Sequence, residues 1–285
     1  MTQQAPEFRP RRRRSASGSG PAARSQRCRL PIIAGSAAIL MLGAAVGIFL
    51  WVSGGDDIPS FDDAAASQST GGTLGGPEIK VEGPATRYVA QINDLASGYD
   101  TLPQETFLLS ATGFATNGYF ANVADGERLA AEWGYLDGYQ GALQPDGALA
   151  GVLQGRFFVR VETYLFADVA GASKAYTFIA DFHLKRPGSV KEETRGLANA
   201  SSAWKFTQGT VGASEIVGVY HRFVFRRGNL VSIVQTYGGE PFMNIDRARD
   251  VAVIIDQKAL GERPAVTPTP NKASTVPAAP PTPTR

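Results

Sequence analysis

The chain has 285 residues, 43% of them hydrophobic and 19% charged, with a single cysteine, Cys28, so an intrachain disulfide is excluded. The formal charge of +2 is unevenly placed: residues 1–29 carry eight arginines against Glu7, a net of +7, which leaves −5 for residues 53–285. The basic excess therefore belongs to a tail and does not describe a nucleic-acid-binding domain.

Residues 1–29, with RPRRRR and SASGSG, hold too few apolar groups to order themselves and read as a disordered basic tail beside anionic lipid headgroups. The next 23 residues, Leu30 to Val52, are apolar and uncharged. At ~1.5 Å rise per residue they would reach roughly 35 Å as a helix, enough for the ~30 Å hydrocarbon layer, so the spacing predicts a transmembrane helix. Arginines before it and Asp56, Asp57, Asp62 and Asp63 after it predict a single-pass protein of the cell membrane, N-terminus cytoplasmic and main domain extracytoplasmic. The run is longer than a signal h-region, which favours retention over cleavage at Ala64-Ala65-Ala66. Gly43 and Gly47 form a GxxxG pair, the spacing that lets two helices approach as a homodimer.

Residues 53–83, including GGTLGGP, read as a flexible linker, and residues 84–262 as one folded domain. Tyr88, Ile92, Leu95 and Tyr99 recur at helical spacing, with Thr86 as cap and Gly98 near the stop. A second helix is expected from about Asn117 or Gly118 to Trp133, closed by Gly134, then a short strand at Tyr139–Leu143 and a turn at Pro145-Asp146-Gly147. GRFFVRVETYLF alternates as a strand, and Asp168 caps a helix through about Leu184. After a short strand at Ala203–Thr207, EIVGVYHRFVF and LVSIVQTY form a hairpin about Gly228-Asn229. Asn244 opens a last helix that closes at Gly261. The Pro/Thr-rich residues 263–285 read as an extended disordered tail. The order strand, turn, strand, helix occurs twice, predicting an α+β fold: an extracytoplasmic domain with an antiparallel sheet and packed helices behind an N-terminal transmembrane helix.

Chemistry-bearing motifs are sparse. His183 falls in the last turn of a helix, where a protonated ring would suit the carbonyl ends, and His221 lies mid-strand among buried alternation. No metal motif, cofactor motif or catalytic constellation is present in the sequence. The strands instead offer arginine and aromatic residues: Arg156, Phe158, Arg160 and Tyr164 on one sheet surface, and Tyr220, Arg222 and Arg226 on another. That composition suits a binding surface, and equally a sheet covered on both sides.

The runs WGYLDGY, VRVETYLFADVAGASKAY and FVFRRGNLVSIV followed by DRARDVAVIIDQKAL resemble uncharacterised bacterial membrane-anchored extracytoplasmic domains of the PsbP-like α/β/α sandwich type. The resemblance covers roughly residues 86–261. Such domains often carry a Gly-Asp pair before the final hairpin, where this chain reads SSAWKFTQGTVGASE. It implies a non-enzymatic binding or accessory role. The sequence thus predicts a binding, sensing or scaffold protein of the cell envelope, with the lipid bilayer and an envelope protein or glycan as partners and no nucleic acid. The alternatives are an envelope enzyme using His183 or His221, and a subunit assembling through its transmembrane helix.

Overall fold

The computed structural model of the chain describes residues 78–267. Its centre is the hairpin of β7 (Val217–Arg227) and β8 (Leu230–Gly239), paired from Gly218 with Gly239 to Arg227 with Leu230. Gly228 turns it with φ +54°, at the first of the two central positions, where glycine alone adopts that backbone freely. Around the hairpin lie β4 (Phe158–Phe166) on one side and β6 (Ala200–Thr210) on the other. Beyond β4 comes β3 (Tyr135–Pro145), whose outer edge is shared by β1 (Tyr99–Thr101) and β2 (Phe107–Leu109). Beyond β6 comes β5 (Val190–Glu192). The eight strands are antiparallel neighbours in the order β1-β3-β4-β8-β7-β6-β5, with β2 beside β3.

All ten residues of β8 are buried, and the reason lies in what covers the two faces. One face carries Val159, Val161, Leu165, Phe223, Phe225 and Val234. Against it pack the segment around Val81, Ala85, Tyr88 and Val89, and helix α5 (Ile245–Leu260) through Ala248, Val251, Ala252 and Ile255. The other face is covered by three helices: α1 (Ala111–Ala115), capped by Ser110; α2 (Val123–Glu132), capped by Asn122; and α4 (Val169–Lys185), capped by Asp168. Phe114 of α1 stacks on Tyr135 at 4.9 Å and meets Tyr164 edge-on at 4.9 Å, which seals the far end of that face. A fifth short helix, α3 (Leu149–Leu153), follows the β3 turn.

This corrects the expected class. The described residues are mostly one eight-stranded antiparallel sheet with a few helices added, two of them only five residues long. Among the described residues no helix is long and apolar enough to cross a membrane. The run Leu30–Val52, with Gly43 and Gly47, lies outside the described residues, as do the basic tail, most of the linker and all but the first residues of the Pro/Thr-rich tail.

Two expected helices also change. Around Tyr88 to Tyr99 the chain makes short 3-10 turns, Ala85–Arg87 and Ile92–Asp94, before β1. The carbonyls a helix would need are taken elsewhere: Tyr88 O accepts from Thr163 Oγ1 at 2.8 Å and Val89 O from Lys258 Nζ at 2.8 Å. The helix expected from about 117 to 133 is confined to α2, with residues 117–122 in turns where Gly118 takes φ +73°, and α1 forms in the segment before it that was expected to be extended. The strand expected at Ala203–Thr207 extends over all eleven residues of β6.

Candidate functional site

The arginine and aromatic residues singled out from the sequence lie on one sheet face, not two, because β8 joins β4 to β7. Phe158 pairs through Tyr237 to Tyr220, and Arg160 through Gln235 to Arg222. These residues form two adjacent rows beneath the C-terminal end of α4. Phe206 and Trp204 of β6 extend the rows, as partners of Tyr220 and Arg222. Tyr164 sits further along the same face, buried, its hydroxyl donating to Glu162 and accepting from Asn117 Nδ2. Two residues fall away from the group. Arg156 donates from Nη1 to Gly98 O at 2.6 Å beside β1. Arg226 donates to Gly228 O at 3.0 Å and pairs with Glu78 at the hairpin turn.

Alternation alone did not reveal the rest of the group. Gln235 and Tyr237 continue the β8 pattern, where a glutamine inside LVSIVQTY was the available signal. His183 and Arg186 come from the end of α4, and Glu105 from the 3-10 turn Pro103–Glu105. Nothing in their local spacing points to β7; only the packing of α4 across the sheet brings them there.

Charge is unevenly distributed over this face. Arg160 Nη2 donates to Gln140 Oε1 at 2.6 Å and pairs with Glu162 Oε1 at 2.9 Å. Burial pulls the Arg160 guanidinium down, and Glu162 together with Tyr119, Glu105 and Tyr164 more than restores it. Glu162 Oε2 is also used, accepting from Tyr119 Oη at 3.0 Å and from Tyr164. Glu105 lies at the Arg160 end, where burial raises its carboxyl above the ordinary range.

Arg222 has no such partner. Its side chain is enclosed, with the residue 7% exposed. Nε donates to Gln235 Oε1 at 2.6 Å, and Nη1 lies 3.2 Å from His183 Nδ1. Among the described residues no carboxylate stands within ion-pair distance of it; the Glu162 charge acts on it from further off and is already engaged by Arg160. Burial holds the Arg222 guanidinium below its ordinary value. Arg186, the C-cap residue of α4, is pulled down to about 10 by burial and by the Arg222 charge. Both guanidinium groups rest over the Phe206 ring, at 5.3 Å for Arg186 and 5.7 Å for Arg222.

His183 completes the group in a state opposite to the one expected. Its Nδ1 faces an arginine, which has only donors, so Nδ1 accepts and the ring is neutral with its proton on Nε2. Burial, then the charges of Arg222 and Arg186, hold it well below the ordinary histidine value. Five enclosed donor atoms on this face find no partner among the described residues: Arg160 Nε beside Glu162, and, grouped about Arg222, His183 Nε2, Arg186 Nη1, Trp204 Nε1 and Gln235 Nε2. A surface so rich in donors and positive charge is chemically suited to holding an anion.

His221 is elsewhere. As the neighbour of Arg222 in β7 it points to the α5 face, 2% exposed, with Nε2 3.9 Å from Glu192 Oε1. Burial and Lys205 lower it to about 4. The two histidines are thus separated by the sheet. Among the described residues no group of three or more His, Cys, Asp or Glu is placed to hold a metal.

No family model matches this chain, and no curated protein matches it. Among solved structures it is similar to the crystal structure of the extracellular domain of PknH from Mycobacterium tuberculosis, with a TM-score of 0.31 and 12% identity, over 57% of this chain and 82% of that one. A likeness at that TM-score carries no argument about fold or ligand, and a PsbP-like membership finds no support in these comparisons.

Proposed function

We propose that this chain is a binding or sensing protein of the cell envelope, working outside the cytoplasm, that takes up an anion on the β4–β8–β7 face beneath the end of α4. The observation that carries the reading is Arg222: an enclosed guanidinium with no carboxylate partner, beside Arg186. An isolated buried charge costs several kcal/mol, and proteins ordinarily offset it with an opposite charge. A ligand that brings the missing charge makes sense of a site that is otherwise a cost to the fold.

The enzyme alternative has little support. His183 and His221 lie on opposite faces, and the accepting nitrogen of His183 is already occupied by Arg222. Binding is tested by titrating the purified full-length chain with a panel of small anions and neutral solutes. Saturable binding confined to anions and weakened by Arg222→Gln supports the proposal; binding of neutral solutes alone, or anion binding untouched by that substitution, refutes it. The placement is tested with protease added to intact cells, which should cut residues 84–262 and not a cytoplasmic marker.

A further inference from the structure

Resting on the reading of this face as an anion site, we propose that the group held between Arg186 and Arg222 is a phosphate-type dianion, either free phosphate or the terminal group of a monoester. Charge count comes first. The third arginine of the face, Arg160, is offset by Glu162 at 2.9 Å, and Glu105, the other carboxyl of the face, lies at that same end; Arg186 and Arg222 form no ion pair among the described residues, so their two positive charges remain for the ligand. A carboxylate supplies one negative charge and two oxygens, whereas a phosphate supplies about −1.5 to −2 at neutral pH and three strong acceptor oxygens.

The donor inventory agrees. His183 Nε2, Arg186 Nη1, Trp204 Nε1 and Gln235 Nε2 are enclosed donors without partners, and all belong to residues that touch or pair with Arg222 or share the Phe206 ring with it. More donors are gathered here than two carboxylate oxygens would use. The neighbouring row is aromatic, with Tyr220 stacked on Tyr237 at 4.4 Å, and offers an apolar wall to the organic part of a monoester.

The test titrates the full-length chain with inorganic phosphate, phenyl phosphate and benzoate at constant ionic strength, following heat or melting temperature. Both phosphates should bind at one site per chain, with benzoate about tenfold weaker or worse. Arg186→Gln and Arg222→Gln should each weaken phosphate binding by about tenfold or more, since each removes a charged donor. Arg128→Gln on the exposed side of α2 should leave it unchanged, and circular dichroism should be the same for all. Phenyl phosphate binding more tightly than phosphate identifies a monoester; equal affinities identify the free ion. Benzoate binding as tightly as phosphate, and lost in Arg222→Gln, overturns the dianion while leaving an anion site. Binding of none of the three overturns both.

Discussion

Arg222 Nη1 lies 3.2 Å from His183 Nδ1, so a residue of the central hairpin fixes the tautomer of a ring at the end of α4. The imidazole can meet the guanidinium only as an acceptor, and protonating it would place a third positive charge beside Arg186 and Arg222.

His183 should therefore remain neutral, protonated on Nε2, from pH 8 to pH 5. Nitrogen-15 chemical shifts of the labelled chain check this: the expected pattern is one pyrrole-like and one pyridine-like nitrogen throughout. In Arg222→Gln, which removes one of the two opposing charges, its titration should move upward.

Acid stability follows from both histidines. Each has a folded pKa below its ordinary value of 6.5, and His221 falls to about 4. The unfolded chain then takes up protons that the folded chain refuses, so the contribution is intact above pH 6.5 and lost as pH falls toward the folded value. His221 alone accounts for about 2 kcal/mol by pH 5, given its shift to about 4. Glu105 and Glu192, raised by burial, act in the opposite sense: they favour the fold while protonated and lose that contribution as pH rises through their raised values. Urea midpoints between pH 8 and pH 5 should fall in the parent chain and fall less in His221→Gln.

Arg227 and Asp256 supply the contrast to Arg222. They form two hydrogen bonds of 2.7 Å and join the central hairpin to α5, with both side chains buried. Asp256→Asn should cost about 3–5 kcal/mol because it leaves an enclosed guanidinium without its counter-charge. The double variant Arg227→Met with Asp256→Leu should recover much of that loss. Arg222→Gln, by comparison, should lie within about 1 kcal/mol of the parent in a zwitterionic buffer low in anions, since there the charge itself is the liability. Chemical denaturation of the three variants measures all of this.

Gly171 shows how closely α2 and α4 meet. A Cβ there would stand 1.9 Å from Trp133 O, which is backbone and cannot turn aside. Gly171→Ala should destabilise the chain by about 3 kcal/mol, read as a lowered urea midpoint.

Much of the sheet was legible because its strands alternate. GRFFVRVETYLF is β4, the Gly228-Asn229 turn joins β7 and β8, and Asp168 caps α4 through Gly171 N at 2.7 Å. What could not be read were features decided at a distance. The helical spacing of Tyr88 to Tyr99 lost to Thr163 and Lys258, which claim the carbonyls of Tyr88 and Val89. The helix-end position of His183 suggests a charged ring, but its burial, and then Arg222 from 39 residues away, keep it neutral. Arginine and aromatic alternation located half of the candidate site; the half from α4, β6 and the Pro103–Glu105 turn has no local pattern that announces it.

The proposed anion lies on the face bounded by Arg186 and Arg222. Anomalous diffraction from crystals of the chain soaked in selenate, a phosphate-shaped dianion with a strong scatterer, tests it directly. A selenium peak is expected within hydrogen-bond distance of both guanidinium groups, absent in Arg222→Gln crystals. Selenium found only at exposed surface arginines, with none at this face, would contradict it.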